Sequence, residues 1–284
     1  MNLPASDYRC YRHPDREAYI SCQRCERLIC PECMRDASVG FHCPSCVAEG
    51  AKTIRTARTI AGGAVPAREG VVSMALIGLN VAVFVLTGLL NIREVTDFGA
   101  MIAASIREPN GTVFPGMTDG GYWRMLTSAF LHVGVLHIAF NMYALYLFGP
   151  FVERALGVWR FIAAYVTTAI VASAFVYVLS DPLTSTVGAS GAVFGLFGMA
   201  LILLLRAKQD VRSLLVLLAI NAVISTQGNI SWQGHLGGFV AGCLLGLAFA
   251  YPPRERKQVV QVLVFAAMWI GVVVAVVVRT AQLT

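Results

Sequence analysis

Two sets of residues in this 284-residue chain have types and spacings that can carry chemistry. The first is a series of thiols with one imidazole: Cys10 and His13, Cys22 and Cys25, Cys30 and Cys33, Cys43 and Cys46, each pair separated by two residues. Such knuckles let both side chains reach one tetrahedral ion. A structural zinc site takes four ligands and leaves no open position, so eight ligands imply two structural zinc ions. The second set consists of polar groups stranded in apolar runs: His132, His137 and Asn141, then Ser190, then His235. A hydroxyl and an imidazole brought within hydrogen-bond reach are the parts of nucleophilic catalysis, in which a histidine draws the proton from a serine.

The elements that must position the second set are membrane spans. The chain is 57% hydrophobic and 13% charged, against about 45–50% apolar in soluble domains, which argues against a soluble enzyme. Apolar runs of near-bilayer length recur at 72–91, 132–151, 157–179, 189–205, 211–226, 233–251 and 259–278. They read as seven transmembrane helices, the fifth being the weakest, with six as the alternative count. Basic residues orient them. If the segment before the first span is cytoplasmic, that side collects twelve: Lys52, Arg55, Arg58, Arg68, Arg154, Arg160, Arg206, Lys208, Arg212, Arg254, Arg256 and Lys257. The other side has Arg93, Arg107, Arg124 and Arg279. The expectation is a multi-pass protein with a cytoplasmic N-terminus and its C-terminus on the opposite side, in the plasma (inner) membrane if bacterial.

Seven of the eight cysteines lie in the first fifty residues, without a preceding apolar signal segment, so their thiols are expected to be reduced and metal-binding. The spacing suggests a cross-brace, with Cys10, His13, Cys30 and Cys33 on one ion and Cys22, Cys25, Cys43 and Cys46 on the other. This resembles B-box and RING-like zinc fingers. Sequential pairing is the alternative, and His42 is an alternative ligand to Cys43. So small a unit cannot bury enough surface to fold unaided, and metal binding supplies the difference. With thiolates and two dications included, the formal charge of +6 falls to about +3 and is not a nucleic-acid signal. Closed sites do not hydrolyse anything, so this unit reads as structural and as a dock for a cytoplasmic protein, with a ubiquitin-ligase-like role a remote alternative. The expected domains are a zinc-binding unit at 1–47, a basic linker at 48–70, a six-helix core at 71–255, and a seventh helix with the C-terminus at 256–284.

Ser190, His235 and His137 lie 16 residues from Arg206, Tyr251 and Glu153 respectively, at the cytoplasmic ends of their runs. At the helical rise each is about 24 Å deep, one shared level inside a hydrocarbon core about 30 Å thick. Helix packing alone has no reason to align them, and polar groups at that depth are functional candidates. Gly238, Gly242 and Gly246 recur below His235, and Gly191, Gly195 and Gly198 below Ser190. Small residues on facing stripes let two backbones approach closely. No buried acid pair and no H-E-x-x-H motif occurs in this half of the chain, which leaves serine with histidine as base, a dyad without a carboxylate.

Trp123-Arg124, the His132, His137 and Asn141 series, Gly188-Ala189-Ser190-Gly191, and His235 with Gly238 and Gly242 together resemble the rhomboid intramembrane serine proteases, over roughly residues 72–251. The resemblance implies an all-α six-helix core with Ser190 as nucleophile and His235 as base. It implies an oxyanion hole from His137, Asn141 and the Ser190 N–H. The activity it implies is cleavage of membrane-anchored proteins in or near their transmembrane segments, with no cofactor for catalysis. Phe194, one turn after Ser190, is a candidate to pack on His235, where the family often has tyrosine. His132 is a candidate for ordering water or the outer loop, or for capping. Trp123-Arg124 would anchor that loop, and Cys243 reads as a small buried hydrophobe. The seventh span is an addition to the core, assigned to support or assembly. Rival readings are a catalytically silent rhomboid-like adaptor recruiting partners through its zinc unit, and a transporter or channel.

Overall fold

The computed structural model describes residues 8–53, 57–89, 93–109, 111–225 and 230–284. The chain forms two compact units, residues 1–56 and 57–284.

In the first unit, β1 (Ile20–Ser21) pairs antiparallel with β2 (Leu28–Ile29), β3 (Arg35–Asp36) pairs with β4 (Phe41–His42), and helix α1 (Pro44–Thr53) follows. Its buried core is Cys10, Ala18, Cys22, Ile29, Cys30, Cys33, Cys43 and Cys46. Only Ala18 and Ile29 in that core lack a thiol, so apolar burial contributes little to holding the hairpins together.

The second unit is helical: α2 (Val71–Leu89), α3 (Arg93–Gly99), a small hairpin of β5 (Ile106–Arg107) and β6 (Val113–Phe114), α4 (Arg124–Thr127), α5 (Val135–Leu156), α6 (Val158–Leu179), α7 (Ser190–Arg206), α8 (Arg212–Ser225), α9 (Trp232–Ala250) and α10 (Lys257–Leu283). Among the described residues α2, α5, α6, α9 and α10 are long and apolar enough to cross a bilayer, while α7 and α8 are shorter, at 17 and 14 residues. This is an all-α polytopic membrane protein.

Helix α7 sits at the centre, buried from Ala192 through Ala200 without a break. That run is apolar or glycine on every side, the pattern of a helix with neighbours all round. Its neighbours are α5, α6 and α9. A methyl group at Gly238 of α9 would overlap the Gly191 carbonyl of α7, and one at Gly242 would overlap the Gly195 carbonyl. The two backbones touch, and only glycine permits it. On the other side of α7, a Cβ on Gly195 would lie 2.5 Å from Thr168 Cβ of α6.

The second apolar run extends to Leu156, past Pro150, where the sequence suggested an end near 151. Glu153, beyond the proline, explains the continuation. Its fully buried carboxylate accepts hydrogen bonds from Val72 N–H (3.1 Å), Ser73 N–H (2.9 Å) and Ser73 Oγ–H (2.8 Å). These donors belong to the first turn of α2, so α5 supplies the anionic cap that α2 lacks in its own sequence. The same run begins later than expected: α5 starts at Val135, which leaves His132 in the preceding loop.

Residues 57–70, expected as part of a linker, pack on the helical unit. Ala61 is fully buried, Thr59 Oγ1 donates to Leu156 O (3.3 Å), and Gln261 of α10 donates to Ala61 O (2.9 Å) while accepting from Arg160 Nε (3.1 Å). Helix α10 is further tied to α6 through Tyr177 OH and Thr280 Oγ1 (2.8 Å) and through Trp269 Nε1 to Thr167 Oγ1 (3.3 Å).

Gly238→Ala should separate α9 from α7. We expect destabilisation of about 1–3 kcal/mol, read as a lower melting temperature in detergent, whereas Gly271→Ala, where an added methyl meets nothing within 4 Å, should leave the melt unchanged.

Candidate functional site

Ser190 is the first residue of α7, His235 the fourth of α9, and His137 the third of α5. The three polar residues that share a depth in the sequence therefore lie in the first turns of three helices. Those turns carry unpaired N–H groups and the positive ends of helix dipoles, which favour a negative charge developing between them. All three side chains are half-buried.

Gly188 turns the chain into α7 with φ +127°, a value that L side chains rarely adopt. A Cβ there would sit 2.6 Å from His137 Nε2 and 3.8 Å from Ser190 Oγ, so the imidazole and the hydroxyl border the same space. Gly188 N–H donates to Ser128 O at 2.9 Å, and Ala189 N–H donates to His132 Nε2 at 3.4 Å. His132 thus caps the start of α7 from the loop, and its ring lies edge-on to His137 with centroids 5.0 Å apart. Asn141 is buried one turn below His137 and donates its amide to His137 O (2.9 Å), which leaves its second N–H available. As the first residue of α7, Ser190 has no carbonyl within its own helix to receive its N–H.

His235 is held on two sides. Phe194, one turn into α7 from Ser190, stacks on its ring with centroids 4.0 Å apart and planes 8° from parallel. Ser225 Oγ, at the end of α8, lies 2.7 Å from His235 Nδ1. Among the described residues, Ser190 and His235 form no direct hydrogen bond with each other; they occupy facing first turns of the glycine-paired helices. Ser225 was not singled out in the sequence. Its only signal there is a hydroxyl, with Thr226 next to it, at the end of an apolar run, ten residues before His235.

Trp123 and Arg124 organise the loop over this end of the bundle. Trp123 stacks on Phe98 (5.0 Å) and donates to Phe98 O (3.0 Å). Arg124, fully buried, donates from Nε to Pro115 O (2.8 Å) and from Nη1 to Ala100 O (2.6 Å). Cys243 lies 3.9 Å from Gly198 O at the α7–α9 contact, away from these groups.

In the N-terminal unit, Cys10, His13, Cys30 and Cys33 form one cluster and Cys22, Cys25, Cys43 and Cys46 a second; within each, the ligand atoms lie within 4.8 Å of one another. The pairing is interleaved, and His42 belongs to neither cluster. His13 Nδ1 lies 3.3 Å from Cys30 Sγ and 3.5 Å from Cys33 Sγ, and Cys25 Sγ lies 3.8 Å from Cys43 Sγ. An ion bound tetrahedrally by thiolates at about 2.3 Å needs sulfur separations of about 3.8 Å. Backbone N–H groups of Cys43 and Cys46 point at Cys22 Sγ (3.1 Å) and Cys43 Sγ (3.3 Å). Arg27 Nε donates to Cys25 Sγ (3.3 Å), which lowers that thiol's pKa and favours the thiolate a metal requires. Both clusters can hold a metal ion.

The helical unit is thus a membrane bundle in which a serine and a histidine lie on facing turns of two touching helices. A rhomboid-domain profile matches residues 119–252. YdcA of Bacillus subtilis, a rhomboid-type protein by name, is 37% identical over 149 residues, which cover 50% of this chain and 74% of its own length. The rhomboid protease GluP, also from Bacillus subtilis, is 34% identical over 163 residues, 55% of this chain and 32% of its own. The rhomboid protease AarA of Providencia stuartii is 26% identical over 220 residues, 65% of this chain and 74% of its own. The chain belongs to the rhomboid family.

Elemental analysis of protein purified without chelators should find two divalent ions per chain, and Cys22→Ser should leave one. Stripping the metal should expose residues 8–53 to protease while the helical unit keeps its melting temperature.

Proposed function

We propose that the protein is an intramembrane serine endopeptidase that hydrolyses membrane-anchored proteins in or near their transmembrane segments, with Ser190 and His235 as a catalytic dyad. The observation that carries this reading is the backbone contact of α7 and α9, which sets Ser190 and His235 on facing turns at the end of the bundle where three helix N-termini meet. Rhomboid relatives named as proteases support the reaction class.

In this reading His235 Nε2 takes the Ser190 hydroxyl proton as Oγ attacks the scissile carbonyl. The oxyanion is met by the Ser190 N–H, His137 Nε2–H and the free Asn141 N–H. His235 then gives its proton to the leaving amine, and water, deprotonated by the same ring, releases the acyl group and restores Ser190. Gly188 keeps the space beside His137 and Ser190 open, Gly191 lets α7 approach Ala172 of α6, and His132 keeps the start of α7 in register. Gly238 and Gly242 hold the dyad helices together, while Trp123 and Arg124 fasten the loop above. Neither step takes up a cofactor.

We further propose the zinc-binding unit at residues 1–47, the connection at 48–70, the six-helix core at 71–255 and the seventh helix at 256–284 as the functional divisions. Two Zn2+ ions, bound by the two interleaved clusters, would hold the N-terminal unit together; thiolate-rich sets of four favour zinc. The excess of basic residues assigns that unit to the cytoplasm, where it would dock a protein partner, and the C-terminus to the other side.

A tagged single-span substrate in liposomes should be cut by the wild type, and Ser190→Ala or His235→Ala should lower the rate about a thousandfold or more with insertion unchanged. Unaltered cleavage by Ser190→Ala would refute the dyad, and no cleavage by folded wild type across several substrates would favour the silent adaptor. Deletion of residues 1–56 should preserve cleavage of a minimal single-span substrate and alter substrate choice in cells; loss of the minimal reaction, with insertion intact, would show that the N-terminal unit is part of the catalyst.

A further inference from the structure

Ser225 is the buried end of a helix that is otherwise mostly exposed. Of the residues of α8, Leu214 and Ser225 alone are buried, and Ser225 retains 5% exposure while Val216, Ile220 and Ile224 on the same helix are open to the surroundings. Its hydroxyl lies 2.7 Å from two atoms, the carbonyl oxygen of Asn221 one turn back and His235 Nδ1. A serine hydroxyl has one proton and a carbonyl oxygen can only accept. The proton therefore goes to Asn221 O, and the Ser225 oxygen accepts from the ring, which places a hydrogen on Nδ1 and leaves Nε2 as the lone-pair nitrogen.

We propose that Ser225 is a positioning residue for His235, filling with a neutral hydroxyl the place that a carboxylate takes in a catalytic triad. This extends the dyad reading and rests on it: the base that receives the Ser190 proton must present an unprotonated nitrogen, and the relay from His235 Nδ1–H to Ser225 Oγ–H to Asn221 O makes that nitrogen Nε2. The face of the ring is fixed by Phe194, but stacking leaves rotation about the ring normal and the choice of tautomer open. Ser225 removes both freedoms. When Nε2 takes the Ser190 proton, the Nδ1–H bond to Ser225 stays in place and the ring keeps its orientation until the proton passes to the leaving amine. A hydroxyl meets this requirement without placing a second charge in the bilayer, where an anion is costly.

Ser225→Thr and Ser225→Val are matched in shape and differ by the hydroxyl alone, so their comparison separates the hydrogen bond from packing; Ser225→Ala removes both. With the single-span substrate in liposomes we expect Ser225→Val and Ser225→Ala to lower kcat about tenfold or more at unchanged KM, and Ser225→Thr to recover most of the rate. Nitrogen NMR of ring-labelled histidine, in the full chain carrying Ser190→Ala, should show His235 as a single Nδ1–H tautomer when Ser225 is intact or replaced in Ser225→Thr, and as a mixture in Ser225→Val and Ser225→Ala. Equal kcat for Ser225→Thr and Ser225→Val at equal thermal stability, or an Nδ1–H tautomer that persists in Ser225→Val, would overturn the proposal. The NMR readout needs no turnover, so a failure of the protease reading and a failure of the Ser225 link are distinguishable.

Discussion

The contact on which the helical unit depends is backbone against backbone. Where α9 crosses α7, the Gly191 and Gly195 carbonyls occupy the positions that side chains on Gly238 and Gly242 would fill. In a bilayer no hydrophobic force draws apolar helices together, so close approach and dispersion must do so, and these act only at short range. The same approach sets the distance between the first turns of the two helices. Packing and chemistry are thereby one constraint: the glycines that hold the bundle also bring the Ser190 turn up to the His235 turn.

Around that contact several polar groups of the interior find partners remote in sequence. Glu153 on α5 takes three donors from the start of α2, and Gln261 on α10 joins Arg160 to Ala61. Arg124 gathers two loop carbonyls. Each such group would be expensive if left alone in hydrocarbon. Once paired, it ties an end of one helix to its neighbour. Close packing of α7 and α9 is thus supplemented by hydrogen bonds between helices, at helix ends and, through Trp269 and Thr167, midway along α10 and α6.

The N-terminal unit solves a different problem with different means. Its core is mostly thiol, its strands are two residues long, and its geometry is that of two interleaved four-ligand clusters. Interleaving makes each cluster span a longer stretch of chain than sequential pairing would, so the two clusters draw on the same hairpins from both sides.

The parts of this protein legible in the sequence were those governed by local rules. Hydropathy marked the seven apolar helices, the two-residue spacing marked the eight residues of the two clusters that can hold a metal ion, and equal distances from the ends of three runs drew attention to His137, Ser190 and His235, because the helical rise is constant along any span. Glycine repeats announced that α7 and α9 could meet. The family resemblance carried by those motifs named the fold that the helices adopt. Other features depended on which elements become neighbours. Nothing near Glu153 indicates that it caps a helix eighty residues earlier. His132 fell outside α5 because a glycine with positive φ precedes the helix. Ser225 gained its place beside His235 from the return of the chain from α8 into α9. Helix formation and ligand spacing follow from neighbours in sequence, whereas hydrogen bonds between distant polar groups follow from the packing arrangement, and only the tertiary structure decides those.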